Sequence, residues 1–128
     1  MTIRGIHHIA ILTDDYEKSK RFYTELLGFA VIRETYRAER RSYKLDLAVA
    51  GEYRIELFSF PDFRERGSYP EAKGLRHLAF AVDDVESSAA ELKAKGVPVE
   101  AVRIDELTGK RFVFFTDPNG QPLELYEL

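Results

Sequence analysis

In two stretches of the chain, alanines alternate with bulky apolar residues. This is the pattern of a strand with one buried face. They begin at His8 and at His77, and each ends in two aspartates. Because side chains along a strand point alternately to opposite faces, His8 shares a face with Ala10. In the second stretch His77 shares a face with Ala79. The bulky residues on the opposite faces suit packing against helices.

Each strand pattern leads into a helical pattern that ends at a glycine. Apolar residues recur at helical spacing over residues 16–27 and 85–95, and the paired aspartates before them are suitable N-caps. Gly28 and Gly96 follow directly, where a left-handed residue commonly closes a helix. The chain therefore predicts one helix in each half.

A hairpin completes each half. In the first half, strand patterns at 43–50 and 53–60 flank Gly51. In the second half, strand patterns at 112–116 and Pro122–Glu127 flank an Asp-Pro-Asn-Gly sequence that is typical of a type I turn. Each half therefore predicts a β-α-β-β-β module of the α+β class, with its strands in a curved sheet.

The two halves repeat one another. The histidine block recurs at an offset of 69 residues, from His8 to His77. A second block, centred on a glutamate between apolar residues, recurs at an offset of 68, from Glu56 to Glu124. Two matching segments in the same order at nearly the same offset indicate an internal duplication. The predicted organisation is one domain, residues 1–128, made of two modules at 5–60 and 74–127 and a joining loop at 61–73.

Composition narrows the class of protein. The 128 residues are 45% hydrophobic and 32% charged, which is enough apolar material for a packed core and excludes a disordered chain. Charged residues interrupt every apolar run, so no membrane span is expected. The net charge is −3 with both signs mixed, which argues against nucleic acid as the main ligand. The first residues lack the pattern of a signal peptide, so we expect a cytoplasmic protein.

The chain has no cysteine, so nitrogen and oxygen atoms must hold any metal ion. Four candidate ligands are paired by the repeat and point away from the predicted helix-packing side: His8, Glu56, His77 and Glu124. Two sheets related by pseudo-twofold symmetry would bring these side chains towards one cavity. Such a donor set suits zinc, nickel, iron, manganese or cobalt. A single strand histidine or glutamate is more often an ordinary surface residue, but four repeat-paired ones favour the metal.

Basic and aromatic residues near the hairpins are candidates for contacting a substrate. The basic ones are Arg40, Arg41, Lys44, Lys110 and Arg111. They form either a solvated face or a site for a carboxylate or phosphate. Phe58 and Phe60 either wall a cavity or belong to ordinary core. His7 points to the face opposite His8 and aligns with Arg76 in the repeat, so we expect a solvated or helix-edge residue. Support for a neighbouring metal ligand is the alternative.

Six segments together resemble the vicinal oxygen chelate superfamily, the group of glyoxalase I, bleomycin resistance proteins and extradiol dioxygenases. They are HHIAI, FYTELLGF, IELF, GLRHLAFAVDD, FFTDPNG and PLELYE. The chain is most similar to the short glyoxalase-like bacterial branch. The resemblance implies an eight-stranded cup of paired βαβββ modules around a divalent metal, usually in a homodimer. Its implied ligands are those of glyoxalase I: His8, Glu56, His77 and Glu124. Zinc or nickel is the expected ion, with cobalt, manganese and iron(II) as alternatives.

The resemblance also implies a chemistry like that of lactoylglutathione lyase. The metal would bind adjacent oxygens of a small vicinal-oxygen carbonyl compound, or of its thiol adduct, and stabilise an enediolate as a carbon-bound proton leaves. By analogy, Glu124 moves the proton, with Glu56 as the alternative base. Glyoxalase I usually has an arginine where this chain has Leu12, and an asparagine near the position of Ser59. Glutathione itself is therefore not indicated.

Two alternatives stay open. One is a non-enzymatic protein of the bleomycin-resistance type, which sequesters an antibiotic or metabolite in the same cup. The other is a metal-dependent thiol transferase or epimerase. The complete ligand set favours an enzyme over a sequestering protein.

Overall fold

Each half of the chain forms one four-stranded mixed sheet in the computed structural model, which describes residues 1–67 and 69–128. The halves are two compact units, Met1–Arg64 and Glu65–Leu128. Both units have the element order β-α-β-β-β, which confirms the predicted α+β class and the duplicated module. Within the described residues, no helix is long and apolar enough to cross a membrane.

The first unit runs from a strand and a helix into three successive strands. Its elements are β1 (Ile9–Thr13), α1 (Tyr16–Arg21), a π-helical turn (Phe22–Leu26), β2 (Ala30–Arg37), a 3-10 turn (Ala38–Arg40), β3 (Ser42–Val49) and β4 (Glu52–Ser59). The strand order across the sheet is β1-β4-β3-β2, with β1 parallel to β4 and the other pairs antiparallel. The parallel pairing lays the first histidine block beside β4.

The second unit repeats this plan. Its elements are β5 (Leu78–Val82), α2 (Val85–Ala94), β6 (Arg103–Ile104), β7 (Arg111–Thr116) and β8 (Pro122–Glu127). The strand order is β5-β8-β7-β6, again with only the first pair parallel among the described strands. The second histidine block therefore lies beside β8.

Aspartate caps and left-handed glycines delimit both helices, as the sequence predicts. The Asp15 carboxylate accepts a hydrogen bond from the backbone N–H of the third helical residue at 3.2 Å, and Asp84 does the same at 3.0 Å. Gly28 and Gly96 have φ angles of +76° and +83°, a conformation that other residues rarely adopt.

The first helix departs from regular geometry in its second half. We predict a continuous helix over 16–27, whereas the regular α-helix stops short and the π-helical turn Phe22–Leu26 follows. The Leu27 N–H donates to the carbonyl of Phe22, five residues back, at 3.0 Å. Both Phe22 and Tyr23 are buried in this turn. The wider winding lets two consecutive aromatic rings enter the core.

Each unit has its own apolar core on one face of its sheet. The first core contains Tyr23, Leu45, Leu47, Ile55 and Leu57, and the second contains Val85, Leu92, Val113, Phe115 and Leu123. Alternate residues of β1 are exposed, beginning with Ala10. Ala79 and Ala81 are exposed in the same way in β5. The small residues therefore leave the non-core face open, as predicted.

Candidate functional site

A histidine and a glutamate meet within the first unit. The register of β1 and β4 pairs Ala10 with Glu56. His8 lies two residues before Ala10 and therefore points to the same face of the sheet. The His8 Nε2 and Glu56 Oε2 atoms are 3.3 Å apart. Parallel pairing of β1 with β4 thus brings together one imidazole and one carboxylate.

The second unit builds the same pair from the repeated residues. The register of β5 and β8 pairs Ala79 with Glu124, and His77 lies two residues before that alanine. The His77 Nε2 and Glu124 Oε2 atoms are 3.1 Å apart. The duplication therefore extends from the sequence to the geometry of the two pairs.

Both pairs have the spacing of two ligands of one metal ion. Two bonds of about 2.1 Å at a tetrahedral angle hold the ligating atoms about 3.4 Å apart. The observed 3.3 and 3.1 Å are close to this spacing. No group of three or more metal-ligating side chains gathers among residues 1–67 and 69–128. Each pair fits as half of a site, and the four-ligand site stays a prediction.

Three polar side chains, which we call the polar cluster, surround Glu56: Lys44, Asp46 and Tyr53. The Tyr53 hydroxyl lies 2.5 Å from Glu56 Oε1 and 2.9 Å from Asp46 Oδ1. The Lys44 ammonium lies 3.1 Å from Glu56 Oε1 and 2.9 Å from Asp46 Oδ1. The polar cluster therefore holds one oxygen of Glu56, while the other faces His8.

Electrostatics in the polar cluster keep the Glu56 carboxylate charged. Burial by itself raises the pKa of Glu56, but hydrogen bonds from Tyr53 and Lys44 outweigh burial and leave this pKa below its usual value. The hydrogen bond to Asp46 raises the pKa of Lys44, against the opposing effect of burial. Burial and the hydrogen bond with Glu56 raise the pKa of Tyr53, which therefore stays a hydroxyl donor.

A β-bulge directs Tyr53 into the polar cluster. The register of β3 and β4 pairs Leu47 with Ile55 but Ala48 with Tyr53, which leaves Arg54 as an extra residue. Without that extra residue, Tyr53 would share the buried face of Ile55. The bulge moves its side chain to the face of the metal-ligand candidates.

The second pair has an apolar neighbour instead. Phe114 stands opposite Glu124 in the register of β7 and β8, where Asp46 stands opposite Glu56 in the first unit. The His77 ring meets the Phe114 ring edge-on, with centroids 5.0 Å apart. Among the described residues, only His77 places a polar atom against the Glu124 carboxylate. Glu124 is therefore held less firmly than Glu56.

Arg76 contacts the far side of the second histidine. Its Nη1 atom lies 3.1 Å from His77 Nδ1. Because a guanidinium only donates, Nδ1 accepts, and the ring proton of neutral His77 lies on Nε2, facing Glu124. As a metal ligand, His77 would bind the ion through Nε2 and carry its ring proton on Nδ1, to which Arg76 could then not donate.

His7 is exposed but lies within the first site. Its Nδ1 atom is 2.8 Å from His8 Nδ1, so one of the two rings donates to the other. The His7 ring also lies 5.1 Å from the Tyr53 ring. His7 is thus solvated, as expected, and its contact with His8 agrees with the alternative expectation of support for a metal ligand.

The predicted substrate residues of the first unit separate into two places. Phe58 and Phe60 stack at 5.8 Å on the face of Glu56, and Arg37 lies over their rings at 4.9 and 5.5 Å. Arg40 and Phe60 together line a shallow depression. Arg41 has a φ angle of +50° and forms the turn into β3.

The predicted substrate residues of the second unit contact the end of the chain. The Lys110 ammonium donates to the Leu128 carbonyl at 2.6 Å. The Arg111 guanidinium lies 3.9 Å from the Glu127 carboxylate. These contacts join the start of β7 to the end of β8, and a substrate-binding role for either residue stays a prediction.

Strand alternation could have identified part of the polar cluster. Lys44 and Asp46 are polar and alternate with leucines in β3, which places them on the non-core face beside Glu56. Lys44 is predicted only as one of several basic residues, and Asp46 is not among the predicted site residues. Arg76, the repeat partner of His7, is not among them either.

Comparison with known proteins shows the family of the chain. The model of the Glyoxalase/Bleomycin resistance protein/Dioxygenase superfamily matches residues 5–125. The Bacillus subtilis protein YwkD is 61% identical over 127 residues, which cover 99% of this chain and 99% of YwkD. The Escherichia coli protein YaeR is 55% identical over 125 residues, which cover 98% of this chain and 97% of YaeR. The crystal structure of SMU.1112c matches with a TM-score of 0.92 at 48% identity, covering 98% of this chain and 100% of that one.

More distant relatives have different activities. The 2-epi-5-epi-valiolone epimerase of Actinomyces sp is 31% identical and covers 100% of this chain and 85% of its own. The manganese-dependent 2,3-dihydroxybiphenyl 1,2-dioxygenase of Geobacillus genomosp. 3 is 30% identical. The match covers 93% of this chain and 35% of the dioxygenase. The lactoylglutathione lyase of Schizosaccharomyces pombe is 25% identical over 98% of this chain and 48% of its own. Because the family model matches nearly the whole chain, the chain belongs to the Glyoxalase/Bleomycin resistance protein/Dioxygenase superfamily.

Proposed function

We propose that the protein is a metal-dependent lyase or isomerase of the glyoxalase type. Its substrate is a small carbonyl compound with oxygens on neighbouring carbons, or the thiol adduct of such a compound. The observation that carries the proposal is the duplicated His–Glu contact, at 3.3 Å in the first unit and 3.1 Å in the second, at the same register. We further propose a homodimer that works in the cytoplasm.

The proposed metal ligands are His8, Glu56, His77 and Glu124. When bound, a zinc or nickel ion, or alternatively cobalt, manganese or iron(II), supplies a Lewis acid that stabilises negative charge on adjacent substrate oxygens. Neutral imidazole and carboxylate are donors that all these ions accept. The spacing within each pair supports this assignment. The Nε2 and Oε2 atoms of a pair are already about as far apart as two ligands of one ion, so the side chains need little movement to bind it.

The two carboxylates divide the remaining work. Tyr53 and Lys44 hold one oxygen of Glu56, so this carboxylate keeps its position and its charge. Glu124 makes its one polar contact among the described residues with His77. Glu124 is therefore the carboxylate that can turn towards a substrate carbon. We assign to Glu124 the transfer of a proton between neighbouring carbons, with Glu56 as the alternative base.

Metal analysis is the first test of this proposal. Untagged protein is purified without chelator, incubated with each of the five candidate ions in turn, and analysed for bound metal per chain. We expect stoichiometric binding of at least one ion, and its loss in His77→Ala. A chain that holds none of the ions would overturn the proposal.

Hydrogen–deuterium exchange tests the proton transfer without knowledge of the natural substrate. Small 2-oxoaldehydes, with and without added thiols, are incubated with the metal-loaded chain in D₂O and followed by NMR. We expect exchange at the carbon next to the carbonyl, reduced by about 10²-fold or more in Glu124→Gln. The control is Glu25→Gln, which changes an exposed carboxylate of the π-helical turn. Equal exchange by wild type and Glu124→Gln would contradict the assigned role.

The epimerase among the relatives supports a second candidate function. Epimerisation next to a carbonyl uses the same proton removal, but the proton returns to the opposite face of the same carbon. Deuterium at a single inverted carbon would favour an epimerase, and deuterium at the neighbouring carbon would favour an isomerase. Ligand binding that survives complete chelation, without any exchange, would favour a sequestering protein.

A further inference from the structure

A cleft in the second unit gathers basic side chains next to His77. Its volume is about 220 Å³. Its lining includes the charged residues Arg66, Arg76, Arg103, Glu71 and Glu100, and the aromatic residues Phe114 and Phe115. None of the three arginines is among the basic residues that the sequence predicts as candidate substrate contacts.

Two of the guanidinium groups lie over one aromatic ring. The central carbon of the Arg103 guanidinium is 5.4 Å from the Phe114 centroid, and that of Arg76 is 6.0 Å from it. Phe114 stands opposite Glu124 in the register of β7 and β8. Both cations therefore lie on the sheet face that carries the His77–Glu124 pair. The ring attracts the cations and orients them without neutralising their charge.

The carboxylates that accompany these two arginines are weak partners. Glu71 lies 3.3 Å from Arg76, and Glu100 lies 3.7 Å from Arg103. All four side chains are more than half exposed. Ion pairs this exposed contribute little stability. A ligand anion can therefore replace either glutamate as the partner of its arginine with little loss of free energy.

Arg66 adds a fixed positive charge at the edge of the cleft. Its guanidinium donates to the Gln121 side-chain oxygen at 3.2 Å and to the backbone carbonyls of Leu75 and Arg76 at 3.1 and 2.8 Å. These hydrogen bonds fix the position of the guanidinium group. The bond to the Arg76 carbonyl also fixes the backbone from which the Arg76 side chain extends.

We propose that this cleft is an oxyanion subsite, which binds the carboxylate or phosphate group of a small molecule. Guanidinium groups suit both anions, because their planar donor fork matches two oxygens at once. The volume is below the roughly 300–1,000 Å³ of sites for drug-sized ligands, so the cleft takes a small anion or the anionic end of a substrate.

The place of the cleft connects it to the proposed reaction. Arg76 donates to His77 at 3.1 Å, so an anion bound by Arg76 lies beside a proposed metal ligand. The substrate would then be a carbonyl compound that also carries a carboxylate or phosphate. This identification of the substrate class depends on the proposed function, whereas anion binding by the cleft does not.

Titration of the metal-free chain with two simple anions tests the subsite. The full chain is treated with chelator, checked for its fold by circular dichroism, and titrated with inorganic phosphate and, in a second series, with acetate at constant ionic strength. Chelation removes any ion that the anions could bind directly. The arginine Nε–H signals report binding by NMR. We expect saturable shifts of the Arg76 and Arg103 signals, and the series that saturates identifies phosphate or carboxylate.

Matched charge changes complete the test. Arg76→Gln and Arg103→Gln each raise the dissociation constant about tenfold, as the loss of one charge-assisted hydrogen bond requires. Both side chains are exposed, so both variants fold. Lys93→Gln removes the same charge from the exposed end of α2 and leaves the constant unchanged. Failure to saturate in both series, or equal binding by all three variants, would overturn the subsite. Failure of the proposed function would appear separately, as anion binding without stoichiometric metal.

Discussion

Glu56 and Glu124 occupy equivalent positions in the repeat but have unequal neighbours. Asp46 and the rest of the polar cluster surround Glu56, whereas Phe114 stands opposite Glu124. Hydrogen bonds from the polar cluster fix the orientation of Glu56 and lower its pKa. A site that needs one constant ligand and one movable base would require this difference between two otherwise duplicated carboxylates.

Removal of the Tyr53 hydroxyl should weaken metal binding by the first pair. In Tyr53→Phe, Glu56 loses its contact at 2.5 Å and keeps its contacts with Lys44 and His8. Partners of this kind typically contribute 10- to 100-fold to metal affinity. We expect the dissociation constant for zinc, measured by competition with a chelating dye, to rise about tenfold.

Tyr36→Phe is the matched control for this experiment. Tyr36 is an exposed tyrosine of β2 whose ring lies tilted against Tyr43, with the ring centroids 4.8 Å apart. Its hydroxyl should be dispensable for metal binding. An unchanged zinc constant in Tyr53→Phe, or an equal change in both variants, would show that the bulge places Tyr53 beside Glu56 without consequence for the metal.

The sequence predicts the candidate ligands but not their neighbours. Repetition and strand alternation are enough to place His8 and Glu56 on the non-core face. Tyr53 could not be predicted in the same way, because an unbroken alternation places it with Ile55 in the core. Only the extra residue in β4 reverses its direction, and a bulge of this kind depends on pairing with β3, which a single strand pattern does not contain.

At the scale of elements, one carboxylate joins α1 to β2. Glu34 Oε2 in β2 accepts hydrogen bonds from the Tyr16 hydroxyl at 2.6 Å and from the Lys20 ammonium at 2.7 Å. Tyr16 is buried and stacks at 4.4 Å on Tyr43 of the neighbouring strand. The hydrogen bond from Lys20, and then that from Tyr16, lower the pKa of Glu34. The exposed edge strand β2 is thereby tied to the helix.

Glu34→Gln should destabilise the fold in a pH-dependent way. A carboxyl whose pKa is lower in the folded state contributes stability above its unfolded pKa, about 4.3, and loses it as the pH falls through the lower folded value. We expect the variant to lose about 1 kcal/mol of unfolding free energy at pH 7. Urea denaturation between pH 7 and pH 3 should show this difference shrinking on the acid side.

The control is again Glu25→Gln, an exposed carboxylate of the π-helical turn. Its unfolding free energy should match that of the wild type within about 0.5 kcal/mol at each pH, as for most surface substitutions. A difference between wild type and Glu34→Gln that persists unchanged at pH 3 would contradict the electrostatic origin of the contact.

The elements themselves follow closely from local chemistry. Asp15 and Asp84 cap the helices, and the glycines that end the helical patterns adopt the left-handed conformation. The π-helical turn was not predictable, because its apolar residues also fit an ordinary helix. It forms where Phe22 and Tyr23 both enter the core, which is a demand of tertiary packing.

At the scale of the whole molecule, the repeat is the strongest signal in the sequence. It predicts two equal modules, and the chain divides into two compact units between Arg64 and Glu65, inside the predicted joining loop at 61–73. Each unit forms its own four-stranded sheet and its own apolar core. The duplicated His–Glu pair is therefore a property of each unit, and each unit supplies two candidate ligands.

Metal stoichiometry tests whether the two pairs serve one ion. Protein metal sites that persist through purification generally have three or four protein ligands, so a single His–Glu pair should bind weakly. We expect one ion per chain in the wild type. His8→Ala and His77→Ala should weaken the binding of that one ion to a similar extent, because each removes one of its four ligands. His7→Ala changes the third histidine of the chain and should keep the wild-type stoichiometry at saturating metal. Two ions per wild-type chain, or half occupancy in both single variants, would mean that each unit binds its own ion, and the shared four-ligand site would be wrong.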